Sequence, residues 1–120
     1  MELRALPWHE SVIEAELAKT KVLINASAAT NAGEQSPIPA ELLVPELLVL
    51  DLMYMPAETQ LLRDARAAGA TETLNGDKML IHQTAAAFTP WTGRDIGLDF
   101  VQSRLDQVRN EQPVAAGADS

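Results

Sequence analysis

The chain has 120 residues, no cysteine, 47% hydrophobic side chains, and 17 acidic against 9 basic groups, a net charge of −8. That is the size of one small domain with ordinary apolar content, and the lack of thiols excludes disulfides and thiolate-bound metals. The acidic balance, with no basic cluster to override it, argues against nucleic-acid and anionic-membrane partners.

Residues 2–6 can form the end of an edge strand before Pro7 and Trp8 break it. Ser11 and Glu14 have the spacing of a capping box, in which the hydroxyl caps the third helical amide and the carboxylate returns to the cap. A helix is predicted over 12–19, with Ile13 and Leu17 on a narrow apolar face. KVLINA, residues 21–26, reads as a buried strand, apolar on both faces as a parallel sheet requires. Residues 27–36, SAATNAGEQS, are small, polar and unpatterned. Such a loop at the C-terminal end of a parallel strand is either a ligand loop or a solvated connector. Pro39 can open one helical turn through residue 43, and Pro45 ends it. Residues 47–54 form a second near-continuous apolar run and hence another interior strand; its single charge, Asp51, needs a partner or a place near the strand's end. Strand, crossover and strand should make a right-handed parallel unit.

A helix over 59–68 places Leu61, Leu62, Ala65 and Ala68 on one face, and Gly69 supplies its stop. Residues 70–74 can form a short third strand. Asn75-Gly76 favours a turn because both residues tolerate positive φ. Residues 79–91 then read as a helix in which Leu80, Thr84, Ala87 and Trp91 fall in one row, widened by Ile81 and Phe88. Pro90 has no amide hydrogen for Ala86 and should loosen the last turn before Thr92-Gly93 closes it. Gln83 sits off the row, between Met79 and Ala86, with His82 further round; it either reaches for a ligand or stands in water at a rim. A last helix over 98–109 carries Leu98, Val101, Leu105 and Val108 on one stripe, and 111–120 is expected to be a disordered tail. His9 and His82 have no metal-ligand spacing around them. No apolar run of 18 residues exists to span a membrane, and the Met-Glu-Leu-Arg start is unlike a signal peptide, so the expected location is cytoplasmic.

These elements predict a three-layer α/β half, with parallel strands near 22–26, 48–54 and 71–74 and helices on both faces. It is the later half of a doubly wound, dinucleotide-binding fold. The six glycines, at 33, 69, 76, 93, 97 and 117, include no Gly-x-Gly pair. The turn that would hold a pyrophosphate at a helix N-terminus is therefore missing.

Three ordered blocks carry a resemblance. NGDKMLIHQTAAAFTPWTG, residues 75–93, resembles the C-terminal signature of the shikimate dehydrogenase family. Ile24-Asn25-Ala26-Ser27 is similar to the family's strand ending in Asn-Ala-Thr/Ser. Leu50-Asp51-Leu52-Met53-Tyr54, with Pro56, Thr59, Leu61 and Leu62 behind it, is similar to its Tyr-Asp-hydrophobic-hydrophobic-Tyr strand and following helix. The resemblance spans most of residues 1–109 and implies that 1–110 is the C-terminal portion of the family's NADP-binding domain, a partial Rossmann-like fold with added C-terminal helices. It implies that Gln83 and Tyr54 contact shikimate or 3-dehydroshikimate, Gln83 by hydrogen bonding and Tyr54 toward the carboxylate. It further implies that Asn25, Ala26 and Ser27 pack along the nicotinamide side of NADP, and that Leu52, Gly76 and Met79 line the nicotinamide pocket.

The chain departs from the family pattern in two places. Thr30 and Asn31 stand where the family has Gly-Met, and Lys78 replaces a glycine of its Gly-x-Gly-Met, where the side chain either obstructs the cofactor or points to solvent. The family's substrate domain with its catalytic Lys and Asp, its glycine-rich loop and its 2′-phosphate-reading Arg have no counterpart here. No catalytic residue is therefore assigned, and the chain alone is expected to be inactive and to bind NADP weakly or not at all. Two function classes follow. In one, the chain is part of an NADPH-dependent enzyme that reduces 3-dehydroshikimate to shikimate in aromatic amino-acid biosynthesis, active only if a separate N-terminal half is supplied. In the other it is a non-catalytic truncated remnant or a small α/β interaction module. Either way strand 21–26 lacks its natural neighbour, and residues 2–6, a second copy through self-association, or a separate half must cover its edge.

Overall fold

The computed structural model describes residues 1–27 and 35–111. They divide into two compact units, Met1–Asp77 and a second from Lys78 onward. The first unit holds α1 (Glu10–Leu17), β1 (Val22–Asn25), a 3-10 turn (Ala40–Leu42), β2 (Leu48–Asp51), α2 (Gln60–Ala67) and β3 (Glu72–Leu74). The strands form one parallel sheet in the order β1-β2-β3. Val22 stands beside Leu48 and Asn25 beside Asp51, while Leu48 stands beside Glu72 and Leu50 beside Leu74.

Register decides the core. Leu23 and Val49 are neighbours across β1 and β2 and point to the same face. On that face Val49 packs with Leu17 of α1, with Ile38 and Leu43 from the β1–β2 connection, and with Leu61, Leu62 and Ala65 of α2. The apolar spacing of α2 in the sequence is the spacing that buries these three residues. Thr59 caps α2, its side chain accepting from the Leu62 amide, and Gly69 follows the helix at φ 94°. Gly69 thus does the stopping job expected of it.

Four local expectations fail. Helix α1 starts at Glu10 with His9 as its cap, and no side chain caps it. Ser11 therefore lies inside the first turn, two residues too late for the capping box. The Val12 and Ile13 amides bond the His9 carbonyl instead. Residues 2–6 form no strand and lie exposed. β1 is not buried on both faces: Val22 is 52% and Ile24 56% exposed, because their side chains alternate to the face opposite Leu23 and the core. Asn75-Gly76 is not a positive-φ turn either, since neither residue is among those with positive φ.

The second unit contains most of α3 (Asp77–Thr92) and α4 (Leu98–Glu111). Its α3 runs through Pro90 to Thr92, and Gly93, at φ 70°, closes it with its amide on the Thr89 carbonyl at 2.8 Å. The buried position of α3 is Ile81, with Ala85 and Phe88 half-buried on the same stripe. The row through Trp91 is the less protected one, Trp91 being 85% exposed. In α4 the buried residue is Val101. Of the expected tail, 111–120, Glu111 instead ends α4, and residues 112–120 lie outside the described residues.

Candidate functional site

All three strands end together, and the segments that follow them meet at one seam along the C-terminal edge of the sheet. β1 gives way to Ala26 and Ser27, β2 to residues 52–59, and β3 to Asn75 and Gly76. In open α/β sheets the crevice beyond the carboxyl ends of the strands is where ligands sit.

The seam is built from backbone groups and a few short polar side chains. The Leu52 amide donates to the Asn25 carbonyl at 3.0 Å, extending the β1–β2 ladder one residue past the strand. The Gly76 amide donates to the Met53 carbonyl at 2.9 Å. Asn75 works in both directions: its Nδ2 donates to the Ala57 carbonyl at 2.9 Å, and its Oδ1 accepts from the Asp77 amide at 3.1 Å. Asn75 thus replaces the expected turn by tying the 52–59 segment to the first amide of α3. Gly76 is buried, and a Cβ built on it would lie 2.0 Å from the Leu52 carbonyl oxygen. Its glycine is required by backbone approaching backbone.

Asp51 anchors the other end of the same segment. Its carboxylate, 4% exposed, accepts from the Met53 amide at 3.1 Å through Oδ1 and from the Thr59 hydroxyl at 2.8 Å through Oδ2. Thr59, itself buried, accepts in turn from the Leu62 amide at 3.4 Å. The charge that had looked costly in an apolar strand therefore sits at the strand's last residue with two donors in place. Sequence reasoning flagged the need but not the partner. The signal was the Thr eight residues on, at the start of the next helix.

Tyr54 is carried on this clamped segment and is exposed. At the end of β1, Asn25 Oδ1 accepts from both the amide and the hydroxyl of Ser27, at 3.1 and 2.6 Å. The Ser27 proton is thereby committed, so toward any ligand this exposed hydroxyl offers its oxygen as an acceptor. Asn25, Ala26, Ser27, Leu52, Tyr54 and Gly76 are thus joined within the first unit. Met79 and Gln83 belong to α3 in the second unit, where both are exposed, as are Lys78 and His82.

A cavity of about 790 Å³ lies against β1. Its lining includes Trp8, Val12, Glu16, residues 22–27 and Ile38. Among the described residues no cluster of His, Asp and Glu could hold a metal ion. None of their helices is long and apolar enough to cross a membrane. Toward a dinucleotide, the seam offers an acceptor hydroxyl and backbone groups; the space at Gly76 is taken up by the Leu52 carbonyl. It does not fit the pyrophosphate, for which the sequence has no Gly-x-Gly turn.

Comparison with known proteins follows this geometry. No family model matches the chain. The shikimate dehydrogenase (NADP(+)) of Haloarcula marismortui is 44% identical over 89 residues, covering 74% of this chain and 33% of that protein. Shikimate 5-dehydrogenase of Thermus thermophilus, solved with NADP(H) and shikimate, superposes with a TM-score of 0.69 at 34% identity, over 88% of this chain and 38% of that one. Quinate dehydrogenase of Corynebacterium glutamicum, solved with NAD, gives a TM-score of 0.70 at 32% identity, over 82% and 35%. The chain therefore spans about a third of the length of the curated relatives it matches.

Proposed function

Because the chain belongs, over the stretch it covers, to the shikimate dehydrogenase family, we propose that it forms one wall of an NADP-dependent shikimate dehydrogenase-type site. Tyr54 and Gln83 face shikimate or 3-dehydroshikimate. Asn25, Ala26, Ser27, Leu52, Gly76 and Met79 line the nicotinamide end of the cofactor. NADPH, when bound, supplies the hydride that reduces 3-dehydroshikimate. The residues present position and enclose; none is proposed to move a proton. Turnover on this reading requires a substrate-binding part and a glycine-rich phosphate turn that residues 1–120 do not contain.

The observation that carries the reading is the seam. Residues 25–27, 52–54 and 75–76, far apart in sequence, are tied together at the carboxyl ends of three parallel strands by the Leu52–Asn25 and Gly76–Met53 backbone bonds. The test co-expresses the chain with the part of the Thermus thermophilus enzyme lying outside the match and measures shikimate oxidation with saturating NADP. Gln83 and His82 are adjacent and 100° apart on α3, so one can face a cleft while the other faces away. Gln83→Ala should lower kcat/KM by roughly 10- to 100-fold, the loss of one substrate hydrogen bond. His82→Ala should change it by less than about threefold, as surface substitutions do. Equal losses, or a larger one at His82, would refute the assignment of Gln83.

A further inference from the structure

We propose that Asn75 is a site of spontaneous covalent modification, deamidation, and that opening of the 52–59 segment gates it. Asn75-Gly76 is the one Asn-Gly pair in the sequence. Such a pair is suited to ring closure, because glycine has no Cβ to hinder attack by its own nitrogen. The Gly76 nitrogen, its proton lost to hydroxide, attacks Cγ of Asn75. The N–Cγ bond forms, the Cγ–Nδ2 bond breaks, and Nδ2 takes a proton from water and leaves as ammonia. Water then opens the succinimide. Cleavage of the new N–Cγ bond leaves aspartate at position 75, and cleavage of the original peptide bond leaves isoaspartate. One water is consumed, one ammonia is released, and nothing is oxidised or reduced.

The closed seam withholds the nucleophile. Gly76 is buried, and its amide donates to the Met53 carbonyl at 2.9 Å, so the proton that must leave is covered and bonded. The Asn75 side chain is held too, with Nδ2 donating to the Ala57 carbonyl at 2.9 Å. One feature acts the other way: the Asp77 amide donates to Oδ1 at 3.1 Å and polarises the carbonyl under attack. The first effect wins, because a nitrogen that keeps its proton does not attack, however activated its target. Both restraining acceptors, Met53 and Ala57, lie on one segment, which the Asp51–Thr59 bond of 2.8 Å anchors. A single local opening of that segment therefore frees the nucleophile and its target together.

The product cannot restore the seam. A carboxylate has no N–H for the Ala57 carbonyl and sets a charged oxygen against it. Isoaspartate also adds a backbone carbon beside Gly76, where even a Cβ would lie 2.0 Å from the Leu52 carbonyl oxygen. Each opening that ends in reaction is thus permanent.

The test incubates the full chain in mildly alkaline water enriched in heavy oxygen, beside a synthetic peptide of residues 70–80 that has no seam. Label uptake at position 75 is read by mass spectrometry of proteolytic fragments. The folded chain should deamidate at least about tenfold more slowly than the peptide, the suppression that two closed hydrogen bonds give. Thr59→Val, which removes the anchor of the segment, should raise the chain's rate at least about threefold, and Thr59→Ser should leave it near the wild-type value. If Thr59→Val fails to fold, the wild-type rate in urea below the unfolding transition decides, and it should climb with urea. The modified chain, with one more negative charge than the −8 of the sequence, separates by anion exchange, and its urea midpoint should fall below that of the unmodified chain. Equal rates in chain and peptide, a rate that neither Thr59→Val nor urea raises, Thr59→Ser matching Thr59→Val, or an unchanged midpoint would each overturn the proposal. No NADP, shikimate or second chain enters this assay, so its failure is separate from failure of the site reading, which rests on the Gln83 and His82 rates.

Discussion

Replacing Thr59 by Val is the most informative single perturbation of the first unit. The two side chains have nearly the same shape, and Thr59 is buried, so packing changes little while the hydroxyl is lost. Two bonds go with it. The 2.8 Å bond to Asp51 Oδ2 involves a carboxylate that is 4% exposed, and hydrogen bonds to charged groups are worth about 1.5–3 kcal/mol. The cap bond from the Leu62 amide is long at 3.4 Å, which places it at the low end of the 0.5–2 kcal/mol usual for caps. The expected loss is therefore about 2–4 kcal/mol. For a small unit with a urea m-value near the lower limit of about 1 kcal/mol per molar, that moves the unfolding midpoint by about 2 M or more. Thr59→Ser keeps the hydroxyl and removes one methyl, and should cost only about 1 kcal/mol. Urea titration followed by circular dichroism, with m unchanged across the three proteins, is the assay. If Thr59→Val unfolds with the wild type, or Thr59→Ser falls as far as Thr59→Val, the carboxylate–hydroxyl clamp does not hold the structure together.

Gly76→Ala should cost about 3 kcal/mol or more, since its Cβ would meet the Leu52 carbonyl at 2.0 Å and both partners are backbone. Gly97→Ala is the control: nothing lies within 4 Å of its Cβ, and only the φ of 73° is strained, a cost of about 1–2 kcal/mol. Thermal melts of the two variants should separate clearly, and equal melting temperatures would refute the close approach of residues 52 and 76. The chain alone should not bind NADPH with a micromolar dissociation constant, because the turn that engages the pyrophosphate is missing from its sequence. Nucleotide fluorescence or calorimetry checks this, and a tight isotherm would mean that phosphates are held by a feature other than that turn.

The three parallel strands and the stop at Gly69 were legible because apolar runs, a long crossover and a positive-φ glycine leave marks in one dimension. What escaped the sequence was which groups answer each other across the seam. Ser11 and Glu14 have the spacing of a capping box, yet α1 begins at Glu10, because spacing says nothing about where the chain enters the helix. Asn75-Gly76 looks like a positive-φ pair, yet Asn75 spends its side chain on Ala57 and Asp77, and Gly76 on Leu52. Both readings used local statistics where a contact with a distant residue decides. Asp51 lies between these cases: its need for a partner was plain, but the partner's identity depended on α2 starting at the distance it does.

Gly76 also bears on how any substitution in this seam is interpreted. A glycine lining a nicotinamide pocket and a glycine packed against a carbonyl make the same demand on sequence, namely the absence of a Cβ. Here the second demand is met inside the protein, by Leu52, before any ligand is considered. Loss of binding in Gly76→Ala would therefore report a displaced 52–54 segment, Tyr54 included, and could not be assigned to contact with a cofactor. Ser27 is the opposite case. It is exposed, and among the described residues its hydroxyl bonds only its near neighbour Asn25, with no buried group depending on it. Removing that hydroxyl leaves the sheet and the clamp alone, so a change in ligand affinity there can be attributed to the ligand. The residues that best define the site's shape are thus the least able to reveal its chemistry, and the exposed ones at its rim carry that information.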